Sequence, residues 1–435
     1  MTKFYFNLRN VAMIIACLAV STMFSGCETE DDPIDDPNNP IVVGELTELT
    51  SPITVNTTLK DLGLAIDYVY KGSSLLQVKN NAVLTIEPGV TIQFTNKGGG
   101  ISIEDGATIK AVGLPKLLDA QGNVVTVGGV ELDGHIKFVG VGTQKGTWNG
   151  ITLDNTNADN QLVYVDLLNA GSESASVNTY AALYVYRTSR ASIQHCTITN
   201  GLGYGVAIHS DSRLDAFDNN VIEGFDFEPV YANGSGGLQA LGKFDITSTL
   251  TNNTKPYILT KLPQTLNEDA TLNQTSVPYY IANSIDYMNK TLTINEGVTF
   301  YMGNGLGIQC EYGEGALIIN GTVAKPVTFT RLPGATYYWE EISYRTANGH
   351  QIKNCILEYG GAGGATNHEN NILDFWDVAN VTLENVVIRN SYAYGIAWTK
   401  GNTRITHNNV TFENNISGNV QYYDGGQWQF LTTLP

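Results

Sequence analysis

The densest group of residues that could bind a ligand lies in NHENNILDFWD, residues 367–377. If this stretch is a strand, its side chains alternate between two faces, so Leu373 and Phe375 point inward. Asp374 and Trp376 then point outward. An indole ring can stack on the apolar face of a sugar, while a carboxylate beside it accepts hydrogen bonds from the sugar hydroxyls. The sequence therefore predicts a carbohydrate-binding surface in this stretch.

Four further residues extend this candidate surface. His368 and Glu369 precede the strand, in a loop that begins with a glycine-rich run and could form one wall of a groove. Tyr184 and Tyr186 occupy the equivalent positions in an earlier, related part of the chain, and alternation turns them outward as well. Exposed aromatic rings and single carboxylates are also common on surfaces that bind nothing, which is the alternative interpretation.

The acidic residues give no ready catalytic pair and no metal loop. Asp377 follows Asp374 by three positions, so the two would face opposite ways in a strand, which argues against a prepared acid/base pair. The catalytic residues, if there are any, are unknown from the sequence. Asp211, Asp215 and Asp218 lack the Asp-x-Asp-x-Asp-Gly pattern of a calcium loop. We therefore expect no metal site and no cofactor, with a structural calcium ion as the open alternative.

An internal repeat indicates how these residues are positioned. LTIEPGVTIQF (84–94) returns 208 positions later as LTINEGVTFYM (292–302). The similarity extends over a tandem copy of about 200 residues, with the boundary near 248–260. Within each copy a period of 24 residues recurs, and its alternating apolar residues are interrupted by Gly, Asn, Asp and Pro. This pattern predicts short strands, and a period with no room for a helix predicts that they form coils.

Such coils resemble those of right-handed parallel β-helix proteins, a superfamily that includes pectate lyases, polysaccharide hydrolases and many surface proteins. The resemblance covers residues 75–420 and implies an all-β fold, a right-handed parallel β-helix or solenoid built from two tandem copies. The catalytic motifs of the superfamily are missing. Neither the Asn-Thr-Asp and Gly-His-Gly motifs of polygalacturonases nor the Arg-x-Pro-x-x-Arg motif of pectate lyases occurs in the chain.

The N-terminus has the features of a lipoprotein signal. MTKFYFNLRN carries two positive charges, and the apolar stretch after it is shorter than the about 20 residues that a membrane span needs. The next residues, FSGC, resemble a lipobox, the bacterial signal in which the Cys becomes the acylated N-terminus. The resemblance implies a signal peptide at 1–26 and a membrane lipid on Cys27. An ordinary secretory signal is the alternative.

The segment after Cys27 separates this anchor from the folded body. Residues 27–40 contain six carboxylates and three prolines, which predicts a solvated tether. An acidic run after a lipobox Cys resembles the export signal of surface lipoproteins in Gram-negative bacteria, which implies an outer-membrane protein facing the exterior. A periplasmic orientation is the alternative. We assign 41–248 to a first block with an N-terminal cap, and 249–435 to a second block with a C-terminal hairpin cap.

Charge and motifs leave two classes of function. The net charge of −18 over 435 residues would repel phosphates, so nucleic acid is not expected as a partner. The first class is a non-catalytic surface lipoprotein that binds a polysaccharide or a host surface ligand. The second is a polysaccharide lyase or glycoside hydrolase with a groove on the second block. The missing catalytic motifs favour the first.

Overall fold

The structure is a computed structural model that describes residues 44–156, 159–172, 180–209, 211–310, 313–346, 348–362, 370–376, 379–399, 401 and 403–435. The predicted signal peptide, Cys27 and the tether lie outside these residues, as do His368 and Glu369. The described part of the chain forms 39 short strands, numbered along the chain, and one helix, α1 (Gly234–Leu241).

Four sheets, made almost entirely of parallel strands, surround one core. Within each sheet, neighbouring strands are named in the order in which they pair. Sheet 1 contains β1 (Thr47–Glu48), β3 (Tyr68–Tyr70), β6 (Thr91–Phe94), β11 (Ile136–Gly140), β14 (Val165–Leu168), β17 (Thr197–Thr199) and β20 (Val221–Glu223). Sheet 3 contains β2 (Thr57–Leu59), β5 (Val83–Ile86), β8 (Thr108–Val112), β13 (Asn160–Val163), β16 (Arg190–Gln194) and β19 (Arg213–Asp218).

Sheet 2 extends through both blocks. It contains β4 (Leu75–Val78), β7 (Gly100–Glu104), β12 (Ile151–Asp154), β15 (Ala181–Val185), β18 (Tyr204–Ile208), β21 (Val230–Asn233), β22 (Ile258–Lys261), β25 (Tyr279–Ile281), β28 (Thr299–Met302), β31 (Val327–Arg331), β33 (His350–Glu358), β30 (Leu317–Asn320), β27 (Leu292–Asn295) and β24 (Ala270–Leu272). Beyond β33 it continues through β35 (Asn380–Arg389) and β37 (Arg404–Glu413).

The remaining strands form sheet 4 and two small pairs. Sheet 4 contains β29 (Ile308–Cys310), β32 (Ile342–Tyr344), β34 (Asn371–Phe375), β36 (Tyr394–Thr399), β38 (Gly418–Asp424) and β39 (Gln427–Leu431). The pairs are β9 (Thr126–Val127) with β10 (Val130–Glu131), which is antiparallel, and β23 (Thr265–Leu266) with β26 (Tyr287–Met288), which is parallel. β38 and β39 form an antiparallel hairpin at the C-terminus.

Each coil of the first block adds one strand to each of three sheets. One coil contains β6, β7 and β8, and the next contains β11, β12 and β13, paired in parallel with the first. In sheet 1 this register stacks Ile92 on Phe138 and Phe138 on Leu167, and all three side chains are fully buried. The predicted all-β, parallel β-helical fold is confirmed, because the alternation in the sequence is the inward and outward alternation of these coils.

The corners between sheets use left-handed backbone, and Asn supplies much of it. Positive φ angles occur at corner asparagines that recur between the two copies, Asn200 with Asn390 and Asn219 with Asn409. Amides of corner asparagines also stack from coil to coil. Asn409 donates to Asn385 Oδ1 at 2.9 Å, and Asn385 donates to Asn354 Oδ1 at 3.0 Å. The short polar side chain tolerates the left-handed region and bonds its neighbours at the turn.

Strand pairing continues without a break from the first block into the second, but it joins strands that are not equivalent in the two copies. Sheet 2 runs from β21 of the first block through β22 and β25 to β28 of the second. In the repeat, however, β28 is equivalent to β6, which belongs to sheet 1. The second-block equivalents of β12, β15 and β18 are β32, β34 and β36, which form the separate sheet 4. In the joining coil, α1 packs between β19 and β24 where a strand would otherwise lie.

The asparagine ladder leads to a prediction about stability. Asn385→Ala removes both ladder hydrogen bonds and places alanine at φ 53°, so we expect the free energy of unfolding to fall by about 2 kcal/mol. Denaturant unfolding of the variant would measure the loss. Asn408→Ala, on an exposed strand position next to the ladder, is the matched control and should change stability little. Equal losses in the two variants would contradict a specific role of the corner.

Candidate functional site

A line of tyrosines follows the outer surface of sheet 2 across the junction. Each of six successive strands, β15, β18, β21, β22, β25 and β28, contributes one tyrosine to this surface, either within the strand or directly before it, and their inward neighbours fill the core. Tyr184, Tyr231, Tyr280 and Tyr301 lie in one cross-strand row, in which Ala207 and Leu259 occupy the two intervening positions. Tyr204 and Tyr257 are displaced from this row, both toward the N-terminal ends of their strands. Five steps between parallel strands of about 4.8 Å give the set an extent of about 24 Å across the sheet. We call this set the tyrosine stripe: Tyr184, Tyr204, Tyr231, Tyr257, Tyr280 and Tyr301.

The rings of the stripe contact one another in two groups. Tyr204 stacks on Tyr231 with ring centroids 5.1 Å apart, and Tyr257 lies 5.1 Å from Tyr280. Tyr301 meets Tyr257 edge to face at 6.4 Å. Except for Tyr184 and Tyr231, which are buried, the rings are partly exposed. Rings held against their neighbours in this way lose little freedom when a ligand stacks on them.

A buried carboxylate lies between the two groups of rings. Glu228, two residues before β21, is only 2% exposed, and its Oε1 atom is 3.2 Å from the Nζ atom of Lys255. Its Oε2 atom is buried and has no hydrogen-bond partner among the described residues. The Lys255 side chain is 47% exposed, and its ammonium lies 5.4 Å from the centre of the Phe227 ring. Aromatic, anionic and cationic groups therefore meet at the junction.

The phenols beside Glu228 are held in their neutral form. Burial raises the pKa of Tyr204 to about 12, and the negative charge of Glu228 adds to the effect. Burial likewise raises the pKa of Tyr257 to about 12, again with a contribution from Glu228. The pKa of Tyr280 is raised by burial first and then by Tyr337 and Glu228. These hydroxyls keep their protons and can donate hydrogen bonds.

The structure separates the residues that the sequence grouped into one surface. Tyr184 belongs to the tyrosine stripe, and the Tyr186 ring stacks beside it with the ring centroids 5.1 Å apart. The guanidinium of Arg187 lies 5.3 Å from the centre of the Tyr186 ring. Asp374 instead lies on β34 of sheet 4, and Trp376 directly follows that strand, because the pairing joins non-equivalent strands at the junction. The equivalent positions of the two copies therefore do not line one groove.

Exposure also differs from the expectation. Asp374 lies outside the central core but is 0% exposed, in one cross-strand row with Ser343 and Gln421, both also fully buried. Tyr184 is 5% exposed. Trp376 is partly exposed, with the guanidinium of Arg345 at 5.2 Å from its ring. Alternation predicted the direction of these side chains but not the neighbours that cover them.

The described residues contain one group with metal-ligand chemistry. The ligand atoms of Asp133, His135 and Asp166 lie within 4.8 Å of one another. His135 Nδ1 is 2.8 Å from Asp166 Oδ1, a contact that raises the pKa of the imidazole, and Asp133 is bonded to Lys137 at 2.8 Å. These contacts form an ion-pair network on sheet 1. The absence of a metal site stays a prediction.

Two of the three acidic residues considered for calcium have other partners. Asp215 is paired with Arg190, and Asp218 accepts a hydrogen bond of 2.8 Å from Gln194 Nε2. Both contacts run between neighbouring strands of sheet 3. They are the cross-strand pairs expected on the outer face of a sheet.

Sequence reasoning missed most of the stripe and all of the junction. Glu228, Lys255, Tyr231, Tyr257 and Tyr280 fall in the segment between the two copies, where the repeat is least regular. A signal was present, because the six tyrosines recur every 20 to 27 residues, which is about one coil. Without the register, that spacing does not distinguish a row on the surface from tyrosines scattered around the coil.

No family model, no curated protein and no solved structure matches the chain. Within the described residues, no helix combines the length and the apolar character needed to cross a membrane. The function is therefore inferred from the fold and from the geometry of the site.

The raised phenol pKa values lead to a second prediction. Folded-state values near 12 exceed the ordinary value of 10, so the stability that the neutral phenols contribute is complete below pH 10 and falls as the pH rises toward 12. Glu228→Gln removes a negative charge and should lower the pKa of Tyr204 and Tyr257. Phenolate formation followed by ultraviolet difference absorbance measures the shift. Tyr257→Phe assigns the signal, and an unchanged titration in Glu228→Gln would contradict the placement of this charge.

Proposed function

We propose that the protein is a lipid-anchored cell-surface β-helix protein that binds a glycan along the tyrosine stripe without catalysis. One observation carries the proposal: six tyrosines lie on or directly beside six successive paired strands over about 24 Å. A band of aromatic rings that crosses six successive strands suits an extended ligand with many similar units. A polysaccharide offers an apolar ring face and hydroxyls at each unit, which match the rings and phenol hydroxyls of the stripe.

The polar groups beside the stripe support a sugar ligand over a purely apolar one. Lys261 lies 5.7 Å from the centre of the Tyr231 ring, and Lys255 and the neutral phenols of Tyr204 and Tyr257 are within the same surface. These groups donate hydrogen bonds that an apolar partner could not accept. An adhesive contact with a host protein is the alternative ligand for the same face.

Catalysis is the second candidate, and the Glu228–Lys255 pair is the observation in its favour. A carboxylate and an ammonium 3.2 Å apart beside an aromatic surface could serve proton transfer in a lyase or hydrolase. Against it, Asp374, the carboxylate that the sequence singled out, lies on a different sheet and cannot act with Glu228. Release of reducing ends or of unsaturated products from a bound polysaccharide would establish the enzyme instead of the binder.

The binding proposal predicts a localised effect of ring removal. Tyr280→Ala, near the middle of the exposed part of the stripe, should weaken glycan binding about 10-fold because one stacking contact is lost. A glycan-array screen identifies the ligand, and titration calorimetry measures the change. Tyr423→Ala removes an exposed tyrosine from sheet 4 and is the matched control. Equal weakening by both variants would contradict binding along the stripe.

Anchoring at Cys27 is tested separately from binding. Cys27→Ser should abolish incorporation of labelled fatty acid and release the protein from the membrane fraction, since the thiol is the proposed acyl acceptor. Protease digestion of intact cells then tests the orientation, because a surface protein is cut while a periplasmic one is protected. Persistent acylation of Cys27→Ser would show that the lipobox interpretation is wrong.

A further inference from the structure

The junction contains a buried charge that the fold does not fully satisfy. Among the described residues, Glu228 Oε2 is buried without a hydrogen-bond partner, although an unsatisfied charged oxygen is strongly unfavourable in a protein interior. Asp67 is a buried carboxylate that the fold does satisfy. Its Oδ1 atom accepts the backbone N–H of Leu62, and its Oδ2 atom accepts that of Thr91, at 2.9 and 2.7 Å. Both oxygens of Asp67 are hydrogen-bonded by the backbone, whereas Glu228 pairs with Lys255 and Tyr257 and keeps its Oε2 atom without a partner among the described residues.

The surroundings of Glu228 are those of a sugar subsite. Its charge acts on the phenols of Tyr204 and Tyr257, which belong to the two ring groups on either side of it. Phe227 is 36% exposed and lies under the Lys255 ammonium. The rings of Tyr204, Tyr257 and Phe227 therefore lie around one hydrogen-bond acceptor, the Glu228 carboxylate, and one donor, the Lys255 ammonium.

The charges of this pair favour a neutral occupant. Glu228 and Lys255 compensate each other, so a ligand that is itself uncharged leaves the pair balanced. A carboxylate or sulfate on the sugar would lie beside the buried Glu228, where repulsion is weakly screened, and an amine would lie beside Lys255. One hydroxyl of a neutral sugar can donate a hydrogen bond to the Glu228 carboxylate, and a second hydroxyl can accept one from the Lys255 ammonium.

We propose that the junction is the main subsite of the tyrosine stripe and that it binds an uncharged sugar residue through two hydroxyls. One hydroxyl donates to Glu228 Oε2, and the other accepts from the ammonium of Lys255. The exposed Lys255 side chain moves to admit the first hydroxyl, and Tyr204 and Tyr257 stack against the ring. This inference rests on the proposed function of the stripe and adds the charge class of its ligand and the residues that select it.

The test uses the full chain and two sets of soluble polysaccharides in titration calorimetry. The neutral set contains a glucan, a galactan, a mannan and a xylan, and the acidic set contains polygalacturonate and alginate. We expect a neutral polysaccharide to bind and the acidic ones to bind at least 10-fold more weakly. Glu228→Gln should weaken neutral binding about 10- to 100-fold, because a hydrogen bond to a charged acceptor is lost.

Two further variants keep the result interpretable. Glu384→Gln changes a carboxylate that is paired with Lys353 at 3.4 Å, away from the stripe, and should bind as the unmodified chain does. Lys255→Met changes a half-exposed side chain and should weaken neutral binding about 10-fold even if Glu228→Gln does not fold, since the ammonium donor is lost. Circular dichroism and the melting temperature check that each variant is folded.

The outcomes separate this inference from the function on which it rests. Tighter binding of an acidic polysaccharide would overturn the neutral subsite and leave glycan binding intact. Neutral binding that is unchanged in folded Glu228→Gln and Lys255→Met would overturn the roles of both residues. Failure of every polysaccharide to bind the unmodified chain would overturn the proposed function and this inference with it.

Discussion

Parallel backbone hydrogen bonding between successive coils is the constraint on which the rest of this molecule depends. Once β6, β11 and β14 are paired in register, each residue lies directly above its counterpart in the next coil. Apolar positions then form continuous buried columns, and the corner asparagines form amide ladders. The same pairing acts on the outer surface, where it brings tyrosines from successive coils to one side of sheet 2 and close enough for their rings to contact one another. Core, corners and candidate ligand surface thus follow from one geometric rule.

The junction between the two copies gives this rule an unexpected result. Strand pairing passes from β21 to β22 and onward without a break, yet it connects different faces of the two copies. The outer surface of sheet 2 is therefore built from unlike parts of the repeat, and the tyrosine stripe crosses from one block into the other. Sequence duplication produced two similar sets of coils, but it did not produce two similar surfaces. Glu228 and Lys255 lie in the joining coils, where the repeat no longer constrains the sequence.

The buried ion pair at the junction contrasts with the other charges of the chain. Most of the ion pairs in the described residues link exposed or partly exposed side chains, and such pairs contribute little to stability. Glu228 is buried beside aromatic rings, where an incompletely paired charge is unfavourable for folding. Polar groups that are costly to the fold and placed beside an accessible aromatic surface suit ligand recognition better than they suit stability. The proposals of a glycan-binding stripe and a neutral subsite rest on this contrast.

The sequence by itself determined the coil architecture, because period-2 alternation, turn residues and a repeat of 24 residues leave few other ways to bury the apolar side chains. It also indicated the inward or outward direction of Tyr184 and Asp374, since alternation is a local property. It could not determine that both would be covered, or that their sheets would differ, because burial and pairing depend on residues far apart in the chain. Only the tertiary structure decided which faces meet at the junction, and with them the stripe that surrounds Glu228.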